Sequence, residues 1–147
     1  MPANPLVTTY DPKKVVITFG GTPISGYADG TFVDVSPSSD FFSKKVGADG
    51  EVARAMNNDN THRVQITLQQ SSLSNAVLGA LKAADKATGL GMAPLTITDL
   101  NGTTLFSWPQ AWIVADPAWG YAKENTDRVW AFDTGQAAVI TEGGTIL

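Results

Sequence analysis

Hydrophobic and polar positions alternate with a period of two through most of the chain, in short runs. Residues 13–19 (KKVVITF) are rich in β-branched side chains, place Val15, Ile17 and Phe19 on one face, and stop at Gly20-Gly21. Tyr27-Ala28-Asp29-Gly30 supplies a turn, because Asp-Gly tolerates positive φ, and feeds residues 31–35 before Ser36-Pro37; this reads as a hairpin. Residues 41–46 and 51–56 flank Gly47-Ala48-Asp49-Gly50 and predict a second hairpin. Its short apolar residues are interleaved with Lys44, Lys45, Glu51 and Arg54, as expected of a half-exposed, projecting arm. Asn57-Asn58-Asp59-Asn60 is a polar turn leading into the cleanest alternation in the chain. There His62, Val64, Ile66 and Leu68 share one face, and Arg63, Gln65, Thr67 and Gln69 share the other.

The period changes once. Leu73, Val77, Ala80, Leu81 and Ala84 fall at i, i+4, i+7, i+8 and i+11, which predicts a helix over residues 72–87, about four turns. Ser71 or Ser72 can cap its start, Lys82 and Lys86 suit the negative end of its dipole, and Gly89 ends it. Its stripe is alanine-rich and suits close packing on a sheet or a neighbouring subunit. Strands resume at residues 95–99, turn at Asn101-Gly102, and return over residues 104–115. Trp108 and Trp112 are expected on one face there, and Pro109 at an edge or a bulge. Residues 128–133 form another alternating strand and residues 137–140 a last short one. Residues 1–12 are expected to be an N-terminal arm and residues 141–147 a mobile tail. The prediction is one mainly β domain over residues 1–147: a two-sheet antiparallel β-sandwich or barrel with one flanking α-helix.

Composition narrows the chemistry. The 147 residues contain no cysteine and one histidine, His62, which removes disulfides, thiolate metal sites, Cys nucleophiles and paired-imidazole zinc sites. Charged residues are 16 %, below the roughly 25 % of ordinary soluble proteins, so part of the surface is expected to be covered. A net charge of −4 has the wrong sign for gripping nucleic acid by its phosphates. The first residues lack a basic start and an apolar run, and no stretch reaches about 18 apolar residues, so a soluble protein outside the general secretory route is expected, with no membrane partner.

Candidate chemistry is sparse. A Ser-His-Asp site would need His62, which sits at a strand entrance, and no Gly-x-Ser-x-Gly elbow exists. The acids fall mostly in turns, as backbone-bonding Asp residues do, rather than as a pair in a cleft. Asp29-Gly30 and Asp49-Gly50 lack the ligand spacing of a calcium loop. Asn57-Asn58-Asp59-Asn60 could hold a hard cation weakly, but reads better as a turn. Gly20-Gly21 and Gly89-Leu90-Gly91 lack the lysine and following helix of a phosphate loop. Neither a cofactor nor an enzymatic activity is expected. Trp108, Trp112 and Trp130 read as core or interface residues, while Trp119, in a loop with Tyr121, stays open as a sugar-stacking ring.

The order of features carries a resemblance. Tyr10-Asp11-Pro12, residues 15–21, Gly26-Tyr27-Ala28-Asp29-Gly30-Thr31-Phe32-Val33, residues 47–55, Asn58-Asp59 and Val64-Gln65-Ile66-Thr67-Leu68 resemble the tail tube proteins of contractile-tailed bacteriophages. The similarity runs on through Asp99-Leu100-Asn101-Gly102, Ala111-Trp112-Ile113, Lys123-Glu124, Arg128 and Trp130. It implies the tail-tube fold, shared with the tube of type VI secretion, in which subunits close into hexameric rings that stack around a bore for DNA. By position, Phe41, Phe42, Lys44, Lys45, Glu51 and Arg54 would make the subunit and ring interface. Arg63, Gln65, Thr67 and Gln69 would line the bore, and Lys82, Asp85 and Lys86 would face a sheath. The implied partners are further copies, a sheath protein, a baseplate and a tape-measure protein, with DNA only as a passenger. The implied location is the virion tail, assembled in the host cytoplasm. Two alternatives stand beside this: a tube subunit of a phage-derived contractile injection particle, and a monomeric carbohydrate-binding sandwich using Trp119 and Tyr121.

Overall fold

A computed structural model describes residues 9–143. The parts of the expected arm and tail at residues 1–8 and 144–147 lie outside the described residues. The chain contains β1 (Val15–Phe19), β2 (Thr22–Ile24), β3 (Val33–Pro37), β4 (Phe42–Val46), β5 (Val52–Met56) and β6 (His62–Gln69). These are followed by α1 (Ser74–Thr88), β7 (Ala93–Asp99), β8 (Leu105–Ala115), β9 (Asp127–Thr134) and β10 (Val139–Thr141). Eight strands form one antiparallel sheet in the order β2-β1-β7-β8-β9-β6-β3, with β10 beside β8; β4 and β5 form a separate two-stranded sheet.

The large sheet folds over on itself into two layers. β1 and β9 are three strand positions apart, which is about 14 Å in a flat sheet. Yet the rings of Phe19 on β1 and Phe132 on β9 meet edge to face with centroids 5.1 Å apart. The layer of β2, β1, β7 and the first half of β8 therefore lies against the layer of the second half of β8, β9, β6 and β3. Ile17, Phe19, Leu95, Ile97 and Trp108 from one layer and Val64, Ile66, Leu68, Trp130 and Phe132 from the other fill the space between them. Val15, Ile17 and Phe19 point inward as expected, and β6 alternates buried and exposed along most of its length.

The long strand β8 serves both layers because it is bulged. Leu95 pairs with Trp108 but Ala93 pairs with Ala111, so β8 carries one residue more than β7 over Pro109-Gln110. Proline has no N–H for the ladder, and a bulge is where a sheet tolerates it. The extra residue reverses the parity of the second half of the strand. Ala111 and Ile113 point into the core, and Trp112 goes to the opposite face, correcting the expectation that it shares a face with Trp108. The first hairpin is also different. β1 turns back at Gly20-Gly21 to pair with β2, while β3 pairs with β6. Gly30 does not adopt positive φ, so the Asp-Gly signal there makes an open crossing rather than a tight turn.

The helix begins two residues later than predicted and presents another face. Ser74, Asn75 and Leu78 are its buried residues, whereas Leu73 is 87 % exposed and Val77, Ala80 and Ala84 face solvent. Polar anchoring explains the rotation. The Asn75 side chain donates to the Gln69 carbonyl at 2.9 Å and accepts from Trp130 Nε1 at 2.9 Å, and Ser74 Oγ accepts the Ser25 N–H at 3.0 Å. Gly26, at φ +77°, lies against Ser72, where a Cβ would come within 2.6 Å of the serine Cβ; only glycine lets the chain cross there.

Asn101 does more than mark a turn. It is buried, accepts the Asp11 N–H at 2.9 Å and donates to the Asp11 carbonyl at 2.8 Å, which ties the end of the expected arm to the body. Residues 141–143 are likewise held: Thr141 belongs to β10, and the Gly143 carbonyl accepts from Thr104 Oγ1 at 2.7 Å.

Candidate functional site

The most distinctive surface is the β4–β5 hairpin. Its two strands pair only with each other, and all ten of their residues are exposed. Phe42, Lys44 and Val46 stand opposite Met56, Arg54 and Val52 on one face, and Lys45 stands opposite Ala53 on the other. Glu51 lies in the turn, where its N–H donates to Asp49. The structure thus brings Phe41, Phe42, Lys44, Lys45, Glu51 and Arg54 together on one projecting element. No core residue lies between positions 41 and 56. Five strand residues extend about 17 Å, an exposed apolar and cationic limb that folding of the chain alone leaves uncovered.

A polar clasp fixes the root of this limb. The Asn57 N–H donates to the Phe41 carbonyl at 2.7 Å, and Asn57 Nδ2 donates to Ser39 Oγ at 2.9 Å and to the Asp40 carbonyl at 2.8 Å. Asp59 accepts from Ser39 Oγ at 2.8 Å and from the Thr61 N–H at 2.9 Å. The Asn57-Asn58-Asp59-Asn60 cluster is therefore the joint between limb and body, which a turn-rich composition does not distinguish from any other loop. The Thr61 hydroxyl and N–H, and then Ser39, hold the Asp59 carboxyl below its ordinary value of 3.8. A depressed folded value means that the carboxylate's contribution is complete above the ordinary value and is lost as pH falls through the folded one. Asp59→Asn is accordingly expected to show a smaller drop in thermal midpoint than the parent between pH 5 and pH 2. An equal drop in both proteins refutes the assignment.

Arg63, Gln65, Thr67 and Gln69 share the outward face of β6, as expected. Arg63 Nε donates to Asp133 at 2.7 Å, and Gln69 Nε2 donates to the Tyr27 carbonyl at 3.1 Å. By register the same face carries Asp34 opposite Gln65, Asp127 opposite Gln69, and Trp112 beside Asp133. With three aspartates against one arginine, the face carries a formal −2. Trp130 and Leu78 lie on the inner side of this layer, so α1 stands across it from the polar row.

On α1, Lys82 and Asp85 have partners within the chain. Lys82 Nζ donates to Asp116 at 2.7 Å, and Asp85 Oδ1 accepts the Gly91 N–H at 3.0 Å and closes the helix end. Lys86 is exposed. Of the apolar stripe, Leu81 packs against the core, while Leu73, Val77, Ala80 and Ala84 are exposed and stay available to a neighbouring subunit.

The remaining candidates are structural. His62 Nδ1 accepts from Trp108 Nε1 at 3.2 Å inside the core. Arg128 is 1 % exposed; its guanidinium donates to the Gly120 carbonyl and to Thr126 Oγ1. Trp119 lies over it at 4.7 Å and Tyr121 at 5.7 Å, so these rings cover a buried cation by cation–π contact. The even spacing of Arg128, Trp130 and Phe132 puts all three on one face, but nothing in it marks the loop rings that close over the arginine. Among the described residues no helix is long and apolar enough to cross a membrane.

The family model described as Bacteriophage PhiTE tail tube protein matches residues 14–141. "Structural protein ORF10" of Pseudomonas phage KPP10 is 29 % identical over 131 residues, covering 84 % of this chain and 76 % of that protein. Among solved structures, a chain of the anti-feeding prophage cap superposes with a TM-score of 0.59 at 9 % identity, covering 99 % of this chain and 97 % of the other. A chain of the sheath–tube complex of the extracellular contractile injection system PVC, in its extended state, gives 0.60 at 10 % identity, covering 96 % and 95 %. At these identities the structural likeness speaks for the fold.

Proposed function

Because the chain belongs to the family of the Bacteriophage PhiTE tail tube protein, we propose that its copies close into hexameric rings that stack into a hollow tube for DNA inside a contractile sheath. The observation that carries this reading is the β4–β5 hairpin, a rooted limb with apolar and cationic side chains that touches nothing in its own core. Terminal strands support it too: among the described residues β2 and β3 end the sheet, and such edges offer unpaired backbone groups to another copy. The Arg63, Gln65, Thr67 and Gln69 face lines the bore in this proposal. Its formal −2 repels phosphates, so DNA slides past rather than binding.

The opposite side of that layer carries α1, which faces the sheath with Lys82, Asp85 and Lys86 in this proposal. Lys82 and Asp85 stay sheath-facing candidates, each also bonded within the chain. A baseplate would nucleate the tube and a tape-measure protein would occupy it before DNA. The protein's place would be the virion tail, after assembly in the host cytoplasm, and its role structural rather than enzymatic.

A tube subunit of a phage-derived injection particle is the second reading. The fold is compatible with both readings, since a chain of a contractile injection system's sheath–tube complex shares it. Neighbouring genes for a capsid and a large terminase would decide for the phage. The sugar-binding reading would use the exposed faces of Trp119 and Tyr121, whose other contacts are with Arg128.

Electron microscopy of the concentrated protein, seeded with preformed tube ends, tests the proposal. Six-membered rings or hollow tubes are expected. A strict monomer by light scattering up to the solubility limit, seeded or not, overturns it.

A further inference from the structure

The hairpin and the body carry complementary, unsatisfied surfaces. On the exposed hairpin face, Lys44 stands directly across from Arg54, framed by the Phe42–Met56 and Val46–Val52 pairs. Like charges opposite one another weaken a strand pair. Stacking of the Arg54 guanidinium on the Phe42 ring at 4.4 Å orients one cation but supplies no counter-charge. Among the described residues neither cation forms an ion pair.

The body holds the converse. Between the terminal strand β3 and the starts of β1 and β8, the two layers part into an open cleft of about 620 Å³, lined by Val15, Val33, Val35, Ile97 and Phe106, with Asp99 among its walls. A smaller cavity of about 400 Å³ shares Val35 and Phe106 and adds Glu142. Among the described residues no lysine or arginine lines either one. Asp99 uses one oxygen, Oδ1, to hold Asn101. Among the described residues none of 42–56 lines either cavity, and Phe41, at the hairpin's root, borders only the smaller one, so the hairpin does not fill the larger cleft of its own chain. The hairpin leaves the body at the end of β3, whereas the larger cleft opens beside its beginning.

We propose that the hairpin of a second copy seats along this cleft, its apolar pairs covering Val33, Val35 and Phe106 while Lys44 and Arg54 face Asp99 and Glu142. The contact joins two different patches, so it is heterologous and propagates as a ring or a stack. It rests on the tube reading and adds to it the receiving surface for the hairpin.

The absence of cysteine makes the contact directly testable by cross-linking. Assembled Val52→Cys/Thr31→Cys protein, oxidised, is expected to give a ladder of covalent oligomers, and each single variant none; both positions are exposed, so folding is undisturbed. Lys44→Glu/Arg54→Glu and Asp99→Lys/Glu142→Lys are each expected to raise the critical concentration for assembly at least tenfold. Combining all four should bring it back to within about threefold of the parent. If the parent forms tubes but the ladder is missing, or the combined variant assembles no better than either pair, the cleft is not the receiving surface and the tube reading stands. If the parent forms neither rings nor tubes, both fail together.

Discussion

Replacing residues 42–56 by a two-residue Asn-Gly turn is expected to yield a folded domain that no longer assembles. The splice is geometrically sound: the Asn57 N–H already donates to the Phe41 carbonyl at 2.7 Å, so positions 41 and 57 face each other across a ladder that a two-residue turn can close. The body should scarcely register the loss, since the removed residues are exposed and contribute nothing to the core between the layers. A thermal midpoint within about 3 °C of the parent is expected, which corresponds to about 1 kcal/mol for a domain of this size. Assembly should respond in the opposite way, with no rings or tubes at a hundredfold the parent's critical concentration. Circular dichroism melts and negative-stain images of the same sample check both halves, and tubes formed by the shortened protein would falsify the assignment of the hairpin as the assembling limb.

Trp130→Ala is expected to do the reverse, striking the fold first. Trp130 is 1 % exposed, packs among Ile66, Leu78 and Phe132, and donates its indole N–H to Asn75. Truncation of a buried tryptophan costs about 3–5 kcal/mol. That is a large part of the roughly 5–15 kcal/mol that holds a domain together. The loss also leaves Asn75 Oδ1 without its donor, and with it the hold of α1 on the sheet. Trp130→Phe separates the two effects: it keeps most of the apolar volume and removes the hydrogen bond, for which about 1–3 kcal/mol is expected. Denaturant unfolding checks the order parent, Phe variant, Ala variant. A Phe variant as unstable as the Ala variant would mean that the bond to Asn75, rather than packing, fixes the helix.

The stretches that sequence describes best are those where one physical rule acts alone. β6 reads correctly from His62 to Gln69 because one face of a strand is buried and the other is not, and a period of two is all that is needed. The hairpin of β4 and β5 reads correctly because its turn at Gly50, φ +87°, demands glycine and its strands pair only with each other. Where two rules compete, the reading slips. At Pro109 the bulge adds one residue and sends Trp112 to the opposite face from Trp108, which simple counting cannot foresee. On α1 the apolar stripe competes with three polar anchors, and the bonds of Ser74 and Asn75 to other segments win, leaving alanines and Val77 outside.

The class of the protein is written along the chain: short alternating strands, one helix, a projecting cationic hairpin, and a composition without cysteine. These features depend on local periodicity and on which side chains are absent, and both are properties of neighbouring positions. Folding in three dimensions set which strands meet, that one sheet folds over to face itself, that Lys82 and Asp85 are occupied, and that Arg128 is roofed by Trp119. It also left an apolar cleft carrying Asp99 open beside β3. Each of these depends on residues far apart in the chain coming within a few ångströms, a relation that no periodicity encodes.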